Sequence, residues 1–234
     1  MINYRLHAAP DNASMIIRLA LEELGLAYQT VWVDRASNAH SRPEYLALNP
    51  AGLIPALETP DGPIAETAAI LLWLSEVHGA LAPAINSPER GAFLSRFLFV
   101  ANTLHPALRM TFYPGKYVGQ SGPAQAALRH RQQQALLQHY SLLEALIQTG
   151  PDWFGADAPS ILDLYLGPCI RWTALYPQDS DKSWFDLRRM PGLYRMAQKL
   201  EMRDSVRIAQ SIEGLGPTPF TAPKAPTPTE VTAT

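Results

Sequence analysis

Glu66 and Thr67 stand together where an apolar helical run begins, and Pro55 directly precedes a short apolar stretch that reads as a strand. All three lie in NPAGLIPALETPDGPIAETAAILLWL, residues 49–74. A proline offers no backbone donor, so Pro55 belongs at a strand's start or edge. A cis Ile54–Pro55 bond would turn the Ile54 backbone groups outward, leaving an edge that pairs with a peptide-like ligand by strand addition. A trans proline closing a loop fits the same letters. Glu66 in a first helical turn suits the macrodipole and Thr67 can cap free amides, so capping alone accounts for the pair. The chemical alternative is that those amides and the Thr67 hydroxyl receive a ligand carboxylate while Glu66 accepts a ligand ammonium.

These residues need a scaffold, and the first eighty residues alternate in type. INYRLH (2–7) reads as a strand ending at a Pro-Asp-Asn turn, and SMIIRLALEELGL (14–26) has helical spacing with a stop at Gly25. YQTVWVD (28–34) alternates as a second strand, and RPEYLALNP makes one or two helical turns. IPALE and PIA are very short strands around Pro60-Asp61-Gly62, and ETAAILLWLSEVH (66–78) is a helix ending at Gly79. The order β-α-β-α-β-β-α predicts a small mixed sheet flanked by helices over residues 1–79. Residues 80–88 read as a linker. After them strand patterns vanish, and helical periodicity runs through 88–110, 123–148, 161–176 and roughly 191–210. An all-helical bundle over 89–213 is therefore expected. Residues 214–234 are rich in proline and threonine and read as a disordered tail.

Bulk properties narrow the partners. The 234 residues are 47% hydrophobic with a net charge of −2, which offers no polybasic surface for nucleic acid or an anionic membrane. Apolar runs such as AAILLWL are far too short to span a bilayer, and no leader-like segment opens the sequence. The lone Cys169 permits no internal disulfide and suits a reducing compartment. A cytoplasmic protein is the expectation. No H-E-x-x-H, P-loop or G-x-G-x-x-G pattern is present, so neither a metal nor a nucleotide cofactor is expected.

Asn49, Pro50, Gly52, Ile54, Pro55 and Leu57, followed by Glu66 and Thr67, resemble the glutathione-site pattern of cytosolic glutathione transferases, with mixed beta-, theta- and zeta-like features. The similarity covers roughly residues 2–210. Ser160-Ile161-Leu162-Asp163 resembles the family's capping box at the start of its core helix. The resemblance implies a thioredoxin-like domain joined to a helical domain, and a homodimer. It implies that Ile54 binds the cysteinyl backbone of glutathione across a cis proline. Glu66 and Thr67 would hold the γ-glutamyl ammonium and carboxylate, with the Ala68 amide adding to the latter. Leu53 occupies a position where many members carry Lys or Gln for the glycyl carboxylate; Arg42 or His40 could supply that contact instead.

Such an enzyme must hold a thiol as thiolate, which a hydrogen-bond donor and a helix N-terminus favour. The family places Tyr, Ser or Cys near the start of helix one, where this chain has LHAAPDNASM. Ser14, Asn12 and His7 are the candidates, with Asn12 and Ser14 taken as the catalytic pair. Either could instead be a helix cap. On the electrophile side, His105 resembles the histidine bordering the beta-type pocket, and Pro106 after it should kink the helix. Phe112, Tyr113 and Trp172 could line that pocket, or simply pack. The expected function is attack of glutathione thiolate on an apolar electrophile. The alternatives are glutathione-dependent reduction of disulfides or peroxides, and a non-catalytic protein that keeps the fold.

Overall fold

Four short strands bring residues 9–13, Ile54–Pro55 and Glu66–Thr67 to one end of a sheet. The computed structural model describes residues 4–178 and 180–227. Strands β1 (Tyr4–Ala8), β2 (Tyr28–Trp32), β3 (Ala56–Thr59) and β4 (Gly62–Ala65) form one sheet in the order β2-β1-β3-β4. β1 and β2 are parallel, whereas β3 is antiparallel to both β1 and β4. Helix α1 (Ser14–Glu23) makes the crossover between the parallel strands, α2 (Pro43–Leu46) is a single turn, and α3 (Thr67–His78) follows β4.

The local causes are those the residue pattern implies. The α1 run MIIRLAL is buried from Ser14 to Leu21, and the chain leaves that helix through Gly25 at φ +63. Strand β3 begins at Ala56 rather than Ile54, because Pro55 cannot donate to a ladder. In the preceding turn Gly52 takes φ +61, and a Cβ there would meet the His40 carbonyl at 3.2 Å.

The second half is helical: α4 (Arg90–Phe99), α5 (His105–Phe112), α6 (Gly115–Val118), α7 (Gly122–Ile147), α8 (Ile161–Leu175), α9 (Pro191–Glu201) and α10 (Asp204–Glu213). The stretch read as one helix over 191–210 is two, broken at Met202–Arg203. Ahead of Pro106 the chain forms a π-helical segment, Val100–Leu104, so the helix accommodates the missing proline amide by a change of register. α8 is buried from Ile161 to Thr173. Its capping box is complete: the Asp163 carboxylate accepts the Ser160 amide at 2.8 Å, and Ser160 Oγ accepts the Leu162 amide at 3.1 Å.

The expectation of a disordered tail from residue 214 needs correction over 214–227. Leu215 and Phe220 are each 1% exposed, and the Phe220 and Thr221 amides donate to Glu201. Two apolar anchors together with hydrogen bonds to Glu201 dock a segment whose composition alone reads as unfolded. Residues 228–234 of that expected tail lie outside the described residues.

Candidate functional site

The antiparallel register brings three separate loops to one end of the sheet. His7 pairs with Ala56, and Ala56 pairs with Ala65. The end of β1, the residues before β3 and the end of β4 therefore lie side by side. Residues 9–13, Ile54–Pro55 and Glu66–Thr67 are the segments that leave that edge.

The Ile54–Pro55 peptide is cis. Its approach is built by Asn49, whose carboxamide accepts the Ala51 amide and donates to the Leu53 carbonyl at 2.7 Å. Tyr45 donates to the same carbonyl at 2.7 Å. Leu53 itself is 41% exposed. Arg42 donates to Ser37, and His40 Nδ1 is buried with no partner among the described residues.

Glu66 holds φ 70 and ψ 115, a conformation that non-glycine residues rarely adopt. It is the N-cap of α3, yet its side chain makes no capping hydrogen bond. Capping therefore does not account for the Glu66–Thr67 pair, and the first-turn amides, including those of Thr67 and Ala68, are left for another acceptor. The Glu66 carboxylate is exposed and has no hydrogen-bond or ion-pair partner among the described residues. Thr67 is buried, with its hydroxyl against the Tyr165 phenol.

Around α1, the candidates separate. Ser14 is fully buried and donates to the Ala9 carbonyl at 3.0 Å while accepting the Ala9 amide. Its one hydroxyl hydrogen is taken inside the loop by the Ala9 carbonyl, whereas the expected role of Ser14 needs that hydrogen for a ligand thiol. His7 is likewise structural, paired with Glu58 at 2.7 Å. Asn12 is partly exposed; its oxygen accepts the Ala13 amide, and its carboxamide nitrogen has no partner among the described residues.

The residue that sequence reasoning missed is Asp11. Its carboxylate accepts two hydrogen bonds from Arg171, one from Trp172 Nε1 at 2.8 Å and one from Tyr176 Oη at 2.7 Å. Its amide donates to Glu213 at 2.9 Å, and Glu213 pairs with the buried Arg18 at 2.9 Å. The available clue was chemical: a lone arginine in the apolar run of α8, and another in α1, must each find an anion.

The aromatic candidates divide in the same way. His105 Nδ1 lies 2.9 Å from the Tyr165 hydroxyl, and its ring lies against Trp172 with centroids 5.6 Å apart. Burial, with a smaller contribution from Arg109, lowers the His105 pKa to about 4, so the ring is neutral near pH 7. Trp172 is 4% exposed and its indole N–H is given to Asp11, so the structure shows it packed between His105 and the Asp11 carboxylate. Phe112 packs edge-on against Tyr113 and Tyr176, and Tyr113 is exposed. Burial pushes the Cys169 thiol far above its ordinary range, which leaves it inert. Among the described residues no cluster of three or more His, Cys, Asp or Glu could hold a metal, and no helix is long and apolar enough to cross a membrane. A cavity of about 310 Å³ lies elsewhere, between the end of α7 and α9.

Comparison with known proteins gives a consistent picture. The model described as glutathione S-transferase, N-terminal domain, matches residues 13–77, and the corresponding C-terminal domain model matches 126–195. A maleylacetoacetate isomerase of Rhizobium meliloti (strain 1021) is 31% identical over 171 residues, spanning 69% of this chain and 79% of its own. The disulfide-bond oxidoreductase YfcG of Escherichia coli (strain K12) is 30% identical over 214 residues, spanning 85% and 96%. A sphingomonad glutathione S-transferase solved with glutathione superposes with a TM-score of 0.73 at 30% identity, covering 91% of this chain and 100% of that one.

Proposed function

Because this chain belongs to the glutathione S-transferase family, we propose that it binds reduced glutathione and promotes attack of its thiolate on an apolar electrophile. The observation that carries the reading is the start of α3, which the Glu66 side chain does not cap, beside a Glu66 carboxylate with no hydrogen-bond or ion-pair partner among the described residues. A helix N-terminus with open amides favours a carboxylate, and a free carboxylate next to it favours an ammonium. An α-amino acid end carries both groups on one carbon, and a γ-glutamyl peptide presents that end.

In this reading Thr67 and the Thr67 and Ala68 amides hold the γ-glutamyl carboxylate, and Glu66 holds the ammonium. The Ile54 backbone, before Pro55, pairs with the cysteinyl segment. Leu53 lends only apolar contact, so the glycyl carboxylate has His40 or solvent. Bound glutathione supplies the nucleophilic sulfur. The Asn12 carboxamide N–H donates to that sulfur and favours its ionised form. His105, neutral, borders the electrophile side together with Phe112 and Tyr113.

A second reading has one specific support. YfcG is named as a disulfide-bond oxidoreductase, and here the buried Cys169 cannot supply a protein thiol. Two glutathiones would then supply the two electrons, yielding glutathione disulfide and two substrate thiols. We read the protein further as a cytoplasmic homodimer with a detoxifying role, and its domains as 1–79 and 89–213, with 214–227 joined to the second.

Titration calorimetry with reduced glutathione tests the common premise. Saturable heat with a sub-millimolar Kd is expected; no heat at millimolar ligand overturns it. Product analysis with a chloronitroaryl electrophile and with a mixed disulfide then separates the two chemistries.

A further inference from the structure

Asp11 is held from the helical half at both its backbone and its side chain, and the segment after α10 completes that hold. A guanidinium has five N–H donors. In Arg171 all five are taken: Nε and one Nη2 hydrogen by the two Asp11 oxygens, the other Nη2 hydrogen by the Lys224 carbonyl at 2.9 Å, and the Nη1 pair by the Leu215 and Pro219 carbonyls at 3.3 Å each. The segment therefore wraps around Arg171 and supplies every acceptor that Asp11 does not. It is itself fastened: Phe220 sits against Gly167 of α8, and Glu201 accepts the Phe220 amide, the Thr221 amide and the Thr221 hydroxyl. At its near end, Glu213 takes the Asp11 amide.

We propose that residues 215–224 are a positioning strap that aims Arg171 at Asp11 and thereby fixes the loop and first turn of α1 that carry Asn12. The physical reason is the fork geometry of arginine. A guanidinium held at both Nη atoms by three backbone carbonyls presents its Nε–Nη2 edge in one orientation, so the carboxylate docking on it is fixed as well. Asp11 holds φ 48, a left-handed conformation that aspartate tolerates better than most residues and that the docked carboxylate keeps in place. The carboxylate lies one residue from Asn12, and an unneutralised charge there would disfavour a neighbouring thiolate. The strap therefore acts through Arg171 on both the placement and the local charge of the thiol end. For the thiol this rests on the glutathione reading; for the placement of α1 it does not.

Glu201→Ala loosens the strap from α9 without touching Asp11, Arg171 or Asn12. A chain ending at Thr221 is a second variant, which removes the Lys224 carbonyl but keeps Phe220. Hydrogen exchange in the full protein is the readout. Amides of residues 11–16 are expected to exchange about tenfold faster in either variant, with β3 and β4 unchanged. Unchanged exchange at 11–16, or a uniform increase across the molecule, overturns the strap. Where glutathione binds the wild-type protein, thiolate absorbance against pH should also move to higher pH in Glu201→Ala. Absence of glutathione binding sinks the ligand reading and leaves the exchange result to decide the strap.

Discussion

The Arg171 guanidinium lies edge-on to the Asp11 carboxylate, Nε to Oδ1 and Nη2 to Oδ2 both at 2.9 Å, with the two side chains 0% and 3% exposed. This pair joins the loop before α1 to the central helix of the other half. Removing one partner leaves a buried, uncompensated charge, which costs about 3–5 kcal/mol. Arg171→Met should therefore lower unfolding free energy by about that amount in urea denaturation. Asp11→Ala combined with Arg171→Met should cost less than the two single changes summed, because neither charge is then stranded.

Thr67→Ala removes a hydroxyl from the start of α3, where the ligand carboxylate is expected. A hydrogen bond to a charged group contributes about 1.5–3 kcal/mol, so glutathione affinity should fall roughly 10- to 100-fold by calorimetry. Thr67→Ser should retain most of it. Full affinity in Thr67→Ala would mean that the carboxylate binds elsewhere.

Asn12 and Ser14 make opposite predictions. Asn12→Ala should move the thiolate absorbance of bound glutathione upward by about one pH unit, the effect of one lost donor. Ser14→Ala should leave that titration in place and instead lower stability by about 1–3 kcal/mol, since it leaves the Ala9 groups without their partner. The reverse pattern would return the activating role to Ser14.

Leu53 is exposed beside the Ile54 edge, where a cation would meet the glycyl carboxylate. Leu53→Lys should tighten glutathione binding by about fivefold at low salt, in line with a solvent-exposed charge pair. The gain should shrink as ionic strength rises. A gain that ignores salt would rule out the charge contact.

His105 gives a pH prediction whose sign follows from its burial. The folded-state pKa is lowered to about 4, against 6.5 for the free imidazole. Its contribution to stability is fully present above about pH 6.5 and is lost as pH falls through that window to about 4, because protons bind the unfolded chain first. The difference in unfolding free energy between the wild type and His105→Asn should therefore narrow from pH 7 to pH 4.5. A constant difference would show that the ring titrates normally.

The boundary between what was legible and what was not runs through the donors and acceptors. The pattern NPAGLIPALETPDGPIAET was readable because each element depends on near neighbours: Asn49 reaches only to Leu53, Gly52 needs its own positive φ, and Glu66–Thr67 sit at the start of their own helix. The order of strands and helices followed from periodicity for the same reason. Ser14 and Asn12 could not be ranked from the letters. Both suit a helix start, and only the folded loop takes the Ser14 hydroxyl to Ala9 while leaving the Asn12 nitrogen without a partner among the described residues.

Asp11 was beyond reach altogether. Its partners lie 160 to 165 residues away in sequence, and its amide acceptor 202 away. The segment after Gly214 was misjudged on the same ground, since composition counts its prolines but cannot see that Phe220 has Gly167 to rest against. The sequence by itself determined which backbone elements form and that Glu66–Thr67 opens a helix beside a proline-led strand, because those depend on contacts a few residues long. Tertiary structure alone decided that the Ser14 hydroxyl turns to Ala9 and that Asp11 is gripped by Arg171, Trp172 and Tyr176, because buried polar groups choose their partners by proximity in space.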